Sequence, residues 1–278
     1  MKIVGVIQAR VGSTRLPGKV LLPLLGRPVL ERMLERVARA TTLDEIVVAT
    51  TRLATDDSIR MLARSLGVRC VSGHPADLLD RHRDAAVATR ADALVKIPSD
   101  CPLIDPAVID QTVGFFRDGH PRFQFVSNLQ PPTWPDGNDV EVFTRDLLEE
   151  AWREASRPFE REHTTPFMWD QPERFRVACV KWATGRDLSA SHRLTLDYVE
   201  DYTLISTVFQ ALHRSEARCF TVEDIVAFLD SHPEVKALNA GRLGSSWMNE
   251  HVRDLRTLRD HAPHAEGHSP SLDAGALR

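Results

Sequence analysis

Four short apolar segments in the first half of the chain, each followed by a segment with helical periodicity, constrain the fold more than any other sequence feature. The apolar segments span residues 3–7, 45–50, 68–71 and 91–97. The helical segments span residues 28–40, 58–67, 76–89 and 106–116. Strands with so few polar residues need cover on both faces, which the alternating helices supply. The pattern predicts an α/β fold with three layers, in which a doubly wound, mostly parallel sheet lies between helices.

The second half of the chain is less regular. A helix is predicted over residues 159–171, and a short strand (TLD, residues 195–197) is predicted to lead into another helix. We predict one α/β domain over residues 1–235, a helical extension over 236–260 and a disordered tail over 261–278, where Pro, Gly and Ser are frequent.

Composition excludes several classes of protein. The net charge of −4 over 278 residues predicts no partner among nucleic acids and no binding to anionic membranes. No apolar run approaches the ~20 residues of a membrane span, and the N-terminus lacks a signal-peptide pattern. The four cysteines are far apart and form no CxxC pair. These features predict a cytoplasmic protein with reduced thiols.

The segment ARVGSTRLPGKV, residues 9–20, follows the first predicted strand. It resembles a Walker A loop, but five residues separate its two glycines, and a valine stands where the metal-binding hydroxyl belongs. Its glycines permit an anion-binding turn, and Arg10, Arg15 and Lys19 supply positive charge. A basic loop bound to surface carboxylates is the alternative. The position at the carboxyl end of a parallel strand favours phosphate binding.

Two aspartates are candidate metal ligands. Asp100 follows the fourth predicted strand at the same edge of the sheet, and Asp197 ends the segment TLD. Two carboxylates with several waters suit Mg²⁺ beside a triphosphate. Capping of a turn is the alternative role for Asp100. Glu200 and Asp201 are assigned instead to the first turn of a helix, where negative charge is favourable.

A family resemblance covers residues 1 to about 213. It is carried, in order, by the segments QARVGSTRLPGKVL, VVATT, DLLDRH, KIPSDCPLID, VSN, PDGNDVEVF, REHTTPF and LTLDYVEDYTLI. These resemble the cytidylyltransferases of the spore coat polysaccharide biosynthesis protein F family. More distantly they resemble the acylneuraminate and 3-deoxy-manno-octulosonate cytidylyltransferases.

The resemblance implies a nucleotide-diphosphosugar-transferase-like fold, a homodimer, and Mg-dependent transfer of CMP from CTP to a sugar acid with release of pyrophosphate. It implies a nucleotide site that comprises Gln8, Ala9, Arg10, Gly12, Ser13, Arg15, Lys19, Gly73, Asp77, Arg81 and Ser99. It implies Asp100 and Asp197 as metal ligands, with Arg10 and Lys19 stabilising the departing pyrophosphate. The acceptor side would comprise Asn128, Asp139, Glu141, Arg161, Glu162 and His163.

Several alternatives stay open at this point. The enzyme could use a small phosphate- or phosphonate-bearing acceptor, it could use UTP or GTP with a sugar phosphate, or the chain could sense CTP without catalysis. Related sequences usually carry an arginine where Lys96 stands, which leaves the acceptor open. His163 is either an acceptor contact or a surface histidine. Trp134 and Trp169 are either pocket walls or core residues.

Overall fold

The structure, a computed structural model, describes residues 1–215 and 218–257. Its strands are β1 (Ile3–Gln8), β2 (Pro23–Leu24), β3 (Arg27–Pro28), β4 (Glu45–Thr51), β5 (Arg69–Gly73), β6 (Ala93–Pro98), β7 (Phe125–Ser127), β8 (Glu141–Thr144) and β9 (Val177–Cys179). Its α-helices are α1 (Val29–Val37), α2 (Asp57–Ser65), α3 (Leu78–Thr89), α4 (Pro106–Gly119), α5 (Arg145–Glu154), α6 (Pro158–His163), α7 (Pro166–Trp169), α8 (Val199–Leu212), α9 (Val222–Ser231), α10 (Pro233–Lys236) and α11 (Trp247–Glu250).

The central sheet has the strand order β5-β4-β1-β6-β8-β7-β9. The four strands predicted from the apolar segments are β1, β4, β5 and β6, and they pair in parallel. Strand β8 runs antiparallel to both β6 and β7. Strand β1 lies inside the sheet between β4 and β6, and its residue Val6 pairs with Val47 of β4 and Lys96 of β6. The predicted mostly parallel sheet is therefore confirmed.

Alternate residues of β1 enter separate cores on the two faces of the sheet. Ile3 and Ile7 pack into a core that includes residues of α1, α2 and α4. Val4 and Val6 pack into a second core that includes residues of α3, α5 and α7. Because successive side chains of a strand point to opposite faces, an all-apolar strand needs helices on both sides. This is the predicted three-layer arrangement.

Two predicted elements differ in the structure. No strand forms at residues 195–197, because the backbone there bonds to neighbouring loops; the amide of Leu196 donates to the carbonyl of Asp100 at 2.7 Å. The predicted helix over 159–171 is split at Thr164, whose φ of 71° is left-handed. Pro166, which has no N–H to donate, begins the second piece.

The chain beyond α9 folds back over the domain. Asn239 is buried against α8, and the fully buried Leu255 joins the core beside α5 and α7. Residues 258–260 of the predicted extension and the predicted tail, 261–278, lie outside the described residues. Within the described part of the chain, no helix has the length and apolar character needed to span a membrane.

Candidate active site

The loop of residues 9–19 begins where central strand β1 ends. Asp56 holds it in place, since the carboxylate accepts a hydrogen bond of 2.8 Å from the amide of Val11. The amide of Gly18 donates to the carbonyl of Val11 at 3.0 Å, and Gly18 has a φ of 70° that an L side chain rarely adopts. The loop is therefore a built turn at the carboxyl end of the sheet, which is the predicted position.

Lys19 joins the two candidate metal ligands. Its Nζ lies 3.1 Å from Oδ2 of Asp100 and 2.8 Å from Oδ1 of Asp197, and it also donates to the carbonyl of Leu196 at 2.7 Å. Burial by itself would lower the pKa of Lys19, but Asp100 and Asp197 outweigh it and the pKa is raised. The structure thus brings together three residues that the sequence separates by up to 178 positions.

Asp197 lies at the centre of a charge network. Arg15 donates to its Oδ1 at 2.8 Å, and Nη2 of Arg193 lies 3.4 Å from its Oδ2. Burial would raise the pKa of Asp197, yet Lys19 and Arg15 lower it, so the carboxylate stays ionised. Arg193 also forms an ion pair with the fully buried Asp201. The carboxylate of Asp201 accepts a hydrogen bond of 2.9 Å from the amide of Asp197. Arg193 was not predicted for the site, although its spacing of four residues from Asp197 is a signal that the sequence carries.

A cavity of about 210 Å³, here named the basic cavity, opens beside the loop. Most of the residues that the family resemblance implies for the nucleotide line it: Gln8, Ala9, Arg10, Ser13, Arg15, Lys19, Arg81 and Ser99. Asp100, implied as a metal ligand, lines it too. Glu162, which was predicted on the acceptor side, lines this cavity instead. The cavity therefore collects side chains from four segments of the chain.

Arg81 is a buried cation in the wall of the basic cavity. Its Nε and Nη1 have no hydrogen-bond partner among the described residues. Burial and the neighbouring charge of Arg10 lower the pKa of Arg81 to about 10, so the guanidinium remains charged at neutral pH. A buried charge without a partner is costly, and such a group is well suited to an anion that enters the cavity.

Four residues predicted for the site play other parts in this structure. Gly12 and Gly73 line neither cavity; a Cβ on Gly73 would lie 2.7 Å from Cγ of Arg81, so this glycine gives Arg81 room. Asp77 caps α3, because its Oδ1 accepts a hydrogen bond from the amide of Asp80. Its Oδ2 accepts a hydrogen bond of 2.8 Å from Nε of Arg161. Asp77 and Arg161 thus join α3 to α6 and lie outside both cavities.

A second cavity of about 490 Å³, here named the acidic cavity, adjoins the first. Five carboxylates line it: Asp100, Asp136, Asp139, Glu141 and Asp197. Gln8, Arg15, Asp100 and His163 line both cavities. A molecule in the basic cavity and another in the acidic cavity would therefore meet at Asp100.

The floor of the acidic cavity carries residues predicted for the acceptor. Glu141 forms a buried ion pair with Lys96, whose strand β6 pairs with β8. Asn128 also lines the cavity, but its amide oxygen accepts from the Val140 amide at 2.9 Å and its Nδ2 donates to the carbonyl of Asn138 at 2.6 Å. Asn128 therefore shapes the loop that carries Asp139.

Asp139 lies in a setting that favours its neutral form. Burial, and then the charges of Asp136 and Asp100, raise the pKa of Asp139 to about 8. Asp136 behaves similarly: burial raises its pKa, Arg193 opposes this, and the value reaches about 6. At neutral pH the cavity therefore contains a protonated carboxyl, which can donate a hydrogen bond as well as accept one.

Replacement of Asp139 by asparagine is expected to raise the thermal midpoint, by more at pH 8 than at pH 5. In the unfolded chain this carboxyl loses its proton near pH 3.9, whereas the folded protein holds it to about pH 8. Native stability therefore falls as pH rises between these values, and a neutral amide removes this loss. Calorimetry at both pH values tests this, with the exposed Asp118→Asn as control. A gain that is equal at the two pH values would contradict the prediction.

His163 lies where the two cavities join and stacks on Trp247, with ring centroids 4.0 Å apart. Burial, and then the charge of Lys96, lower the pKa of His163 to about 3, so the ring is neutral at physiological pH. The sequence left the roles of two tryptophans undecided: Trp134 lines the acidic cavity, and Trp169 lies in the core. Trp247 was missed, because the sequence beyond residue 235 shows no motif.

Comparisons with known proteins identify the family of this chain. The sequence profile described as Cytidylyltransferase matches residues 4–223. The chain is 29% identical over 237 residues to spore coat polysaccharide biosynthesis protein SpsF of Bacillus subtilis, covering 84% of this chain and 95% of that protein. It is 36% identical over 115 residues to a 3-deoxy-manno-octulosonate cytidylyltransferase of Geobacter metallireducens, covering 41% of this chain and 44% of that one.

A solved structure of a cytidylyltransferase from Leptospira borgpetersenii serovar Hardjo-bovis is similar to this fold. The TM-score is 0.80 and the identity 35%, over 84% of this chain and 96% of that one. This similarity confirms the predicted nucleotidyltransferase fold, and the profile match confirms the predicted family. The chain belongs to the cytidylyltransferase family of nucleotidyltransferase enzymes.

Proposed function

We propose that this enzyme transfers CMP from CTP to a hydroxyl of a sugar acid and releases pyrophosphate, in a reaction that depends on Mg²⁺. The observation that carries the proposal is the meeting of a basic cavity and an acidic cavity at Asp100. Two substrates held in these cavities would have their reacting atoms at the joint. The 3-deoxy-manno-octulosonate enzyme among the relatives supports a sugar acid as the acceptor class.

In this proposal the basic cavity holds the triphosphate. Arg10 and Arg15 offer planar forks and Lys19 a point charge, which together suit phosphate oxygens. Arg81 adds a buried guanidinium whose Nε and Nη1 lack hydrogen-bond partners among the described residues, and bound phosphate would supply acceptors for them. Gln8 lies at the end of β1, and its Oε1 has no hydrogen-bond partner among the described residues. This oxygen could accept a hydrogen bond from an amino group of the base.

In this proposal Asp100 and Asp197 would hold the magnesium ion. Oδ1 of Asp100 accepts only a weak contact of 3.8 Å from the Cys101 thiol among the described residues, so this oxygen is open for coordination. Carboxylate oxygens are the ligands that Mg²⁺ prefers, and it retains several waters. When bound, Mg²⁺ would neutralise charge on the phosphate oxygens. Lys19, held between the two carboxylates, keeps them at a fixed separation.

The acidic cavity would hold the acceptor. Asp139 and Glu141 lie two residues apart at the start of β8, where they could bind ring hydroxyls. Arg15 lines both cavities and could reach the carboxylate of a sugar acid. The acceptor hydroxyl would lose its proton to solvent, and its oxygen would form a bond to the α-phosphorus while the bond from that phosphorus to the bridging α–β oxygen breaks and pyrophosphate leaves. The residues of the chain contribute chiefly by positioning the substrates and stabilising charge, since the reaction needs no covalent intermediate on the protein.

A nucleotide and acceptor panel tests the proposal. Pyrophosphate release would be measured with CTP, UTP, GTP and ATP, each with 3-deoxy-manno-octulosonate, N-acetylneuraminate, a sugar phosphate and a phosphonate, with Mg²⁺ or with EDTA. We expect release with CTP and a sugar acid, and its loss in EDTA. Faster turnover with a phosphate- or phosphonate-bearing acceptor would overturn the acceptor class, and preference for another nucleotide would overturn the nucleotide assignment.

A further inference from the structure

The chain from residue 239 to 257, here named the strap, crosses the acidic cavity. At its start, Nδ2 of the buried Asn239 donates to Asp201 at 2.9 Å and to the carbonyl of Arg193 at 3.0 Å. At its end, the amide of Thr257 donates to Asp170 at 2.8 Å, and Leu255 is buried in the core. Both ends are therefore fixed, one beside α8 and the other beside α7.

Between these anchors, residues 244–248 form part of the cavity wall. The carbonyl of Ser245 accepts a hydrogen bond of 2.9 Å from Arg193, the same arginine that contacts Asp197. Trp247 lies on His163, with an angle of 13° between the rings. The strap thus contacts both the charge network of Asp197 and the histidine shared by the two cavities.

Trp247 gives the acidic cavity an apolar wall, whereas the floor of the cavity is charged. The floor carries Asp139 and the Lys96–Glu141 ion pair, whereas the strap contributes the side chains of Trp247 and Met248. A sugar ring has both hydroxyls and apolar C–H faces, and aromatic rings pack well against the latter. The strap also lies outside residues 4–223, which match the family profile.

We propose that Trp247, held against His163 by the strap, is a specificity-determining residue that packs on the apolar face of the acceptor sugar and screens the joint of the cavities from water. The packing part of this proposal rests on the proposed function, which identifies the acceptor as a sugar acid. The screening part rests only on the cytidylyltransferase activity of the family. When the acceptor is absent, attack by water on the α-phosphorus would yield CMP and pyrophosphate and release a proton.

The test compares full-length Trp247→Ala, Trp247→Phe and the wild type, with 3-deoxy-manno-octulosonate as the acceptor probe. Leu243→Ala is the matched control, because Leu243 is on the strap, 41% exposed and outside both cavities. For Trp247→Ala we expect an acceptor KM about tenfold higher, a CTP KM within about twofold of wild type, and faster hydrolysis of CTP without acceptor. Trp247→Phe is expected to restore the acceptor KM, and circular dichroism checks folding of each variant.

Two results would overturn this inference. One is an unchanged acceptor KM together with unchanged CTP hydrolysis in Trp247→Ala. The other is an equal rise in the KM of CTP and of acceptor, which would assign the strap a purely structural part. If the wild type uses none of the sugar acids, the proposed acceptor class fails, while CTP hydrolysis without acceptor still decides the role of Trp247.

Discussion

Asp100→Asn is expected to lower the rate of pyrophosphate release from CTP by at least about 10²–10³-fold, with little change in thermal midpoint. The carboxylate faces both cavities, and an amide carries no charge to hold a metal ion or to oppose the charge of Lys19. The fold should persist, because the side chain is 29% exposed and an amide oxygen can still accept from Lys19. Steady-state kinetics with CTP and the best acceptor, together with calorimetry, provide the measurement.

The matched control for this variant is Asp84→Asn. Asp84 has a similar exposed fraction, 33%, and lies on α3 outside both cavities. We expect this control to turn over within about twofold of the wild type, as surface substitutions commonly do. A folded Asp100→Asn enzyme with near wild-type turnover would remove Asp100 from the proposed site.

Lys19→Met is expected to affect stability and activity together. Removing the ammonium leaves Asp100 and Asp197 facing each other without the charge that lies between them. Loss of one partner of a buried ion pair costs about 3–5 kcal/mol, and we expect the lower end, because Arg15 and Arg193 still contact Asp197. Activity should fall below detection, since the remaining carboxylates repel the triphosphate. Urea unfolding and pyrophosphate release measure the two effects.

The stability loss of Lys19→Met should depend on pH with a defined sign. The folded pKa of Asp197 is lowered, so its ion pairs stabilise the protein above the ordinary aspartate pKa of about 3.9 and cease to do so as pH falls through the folded value. The difference from wild type should therefore be full at pH 7 and shrink below about pH 4. Lys181→Met, at an exposed position outside both cavities, is the control. An unchanged unfolding midpoint at pH 7 would contradict the assigned role of Lys19.

Much of the fold could be predicted, because hydrophobic periodicity is a local property. The strands β1, β4, β5 and β6 follow from short, nearly continuous apolar segments, and the buried face of α1 follows from apolar residues three to four apart. The prediction of a strand at residues 195–197 was wrong, because tertiary contacts determine the backbone there. The amide of Leu196 bonds to Asp100 in the loop after β6, and Leu194, which precedes the segment, bonds to Asp136; no local pattern indicates these neighbours.

The candidate site could be predicted where a side chain follows a parallel strand. The loop of residues 9–19 and Asp100 both follow strands of the sheet, so their meeting at one edge is a consequence of the topology. Arg161 and Asp77 show the limit of that reasoning. Asp77 is close in sequence to Arg81, and Arg161 is close to His163, both of which line a cavity. Asp77 and Arg161 nevertheless pair with each other and lie outside both cavities.

The sequence alone determined the layered α/β architecture, the basic loop at the end of β1 and the family, because these depend on local spacing and on short motifs. Only the tertiary structure decided that Lys19 lies between Asp100 and Asp197, that Arg193 joins this network, and that a strap from the C-terminal end places Trp247 on His163. Apart from the pair of Arg193 and Asp197, these contacts join residues far apart in the chain. They depend on how helices and loops pack, which no periodicity of a single segment records.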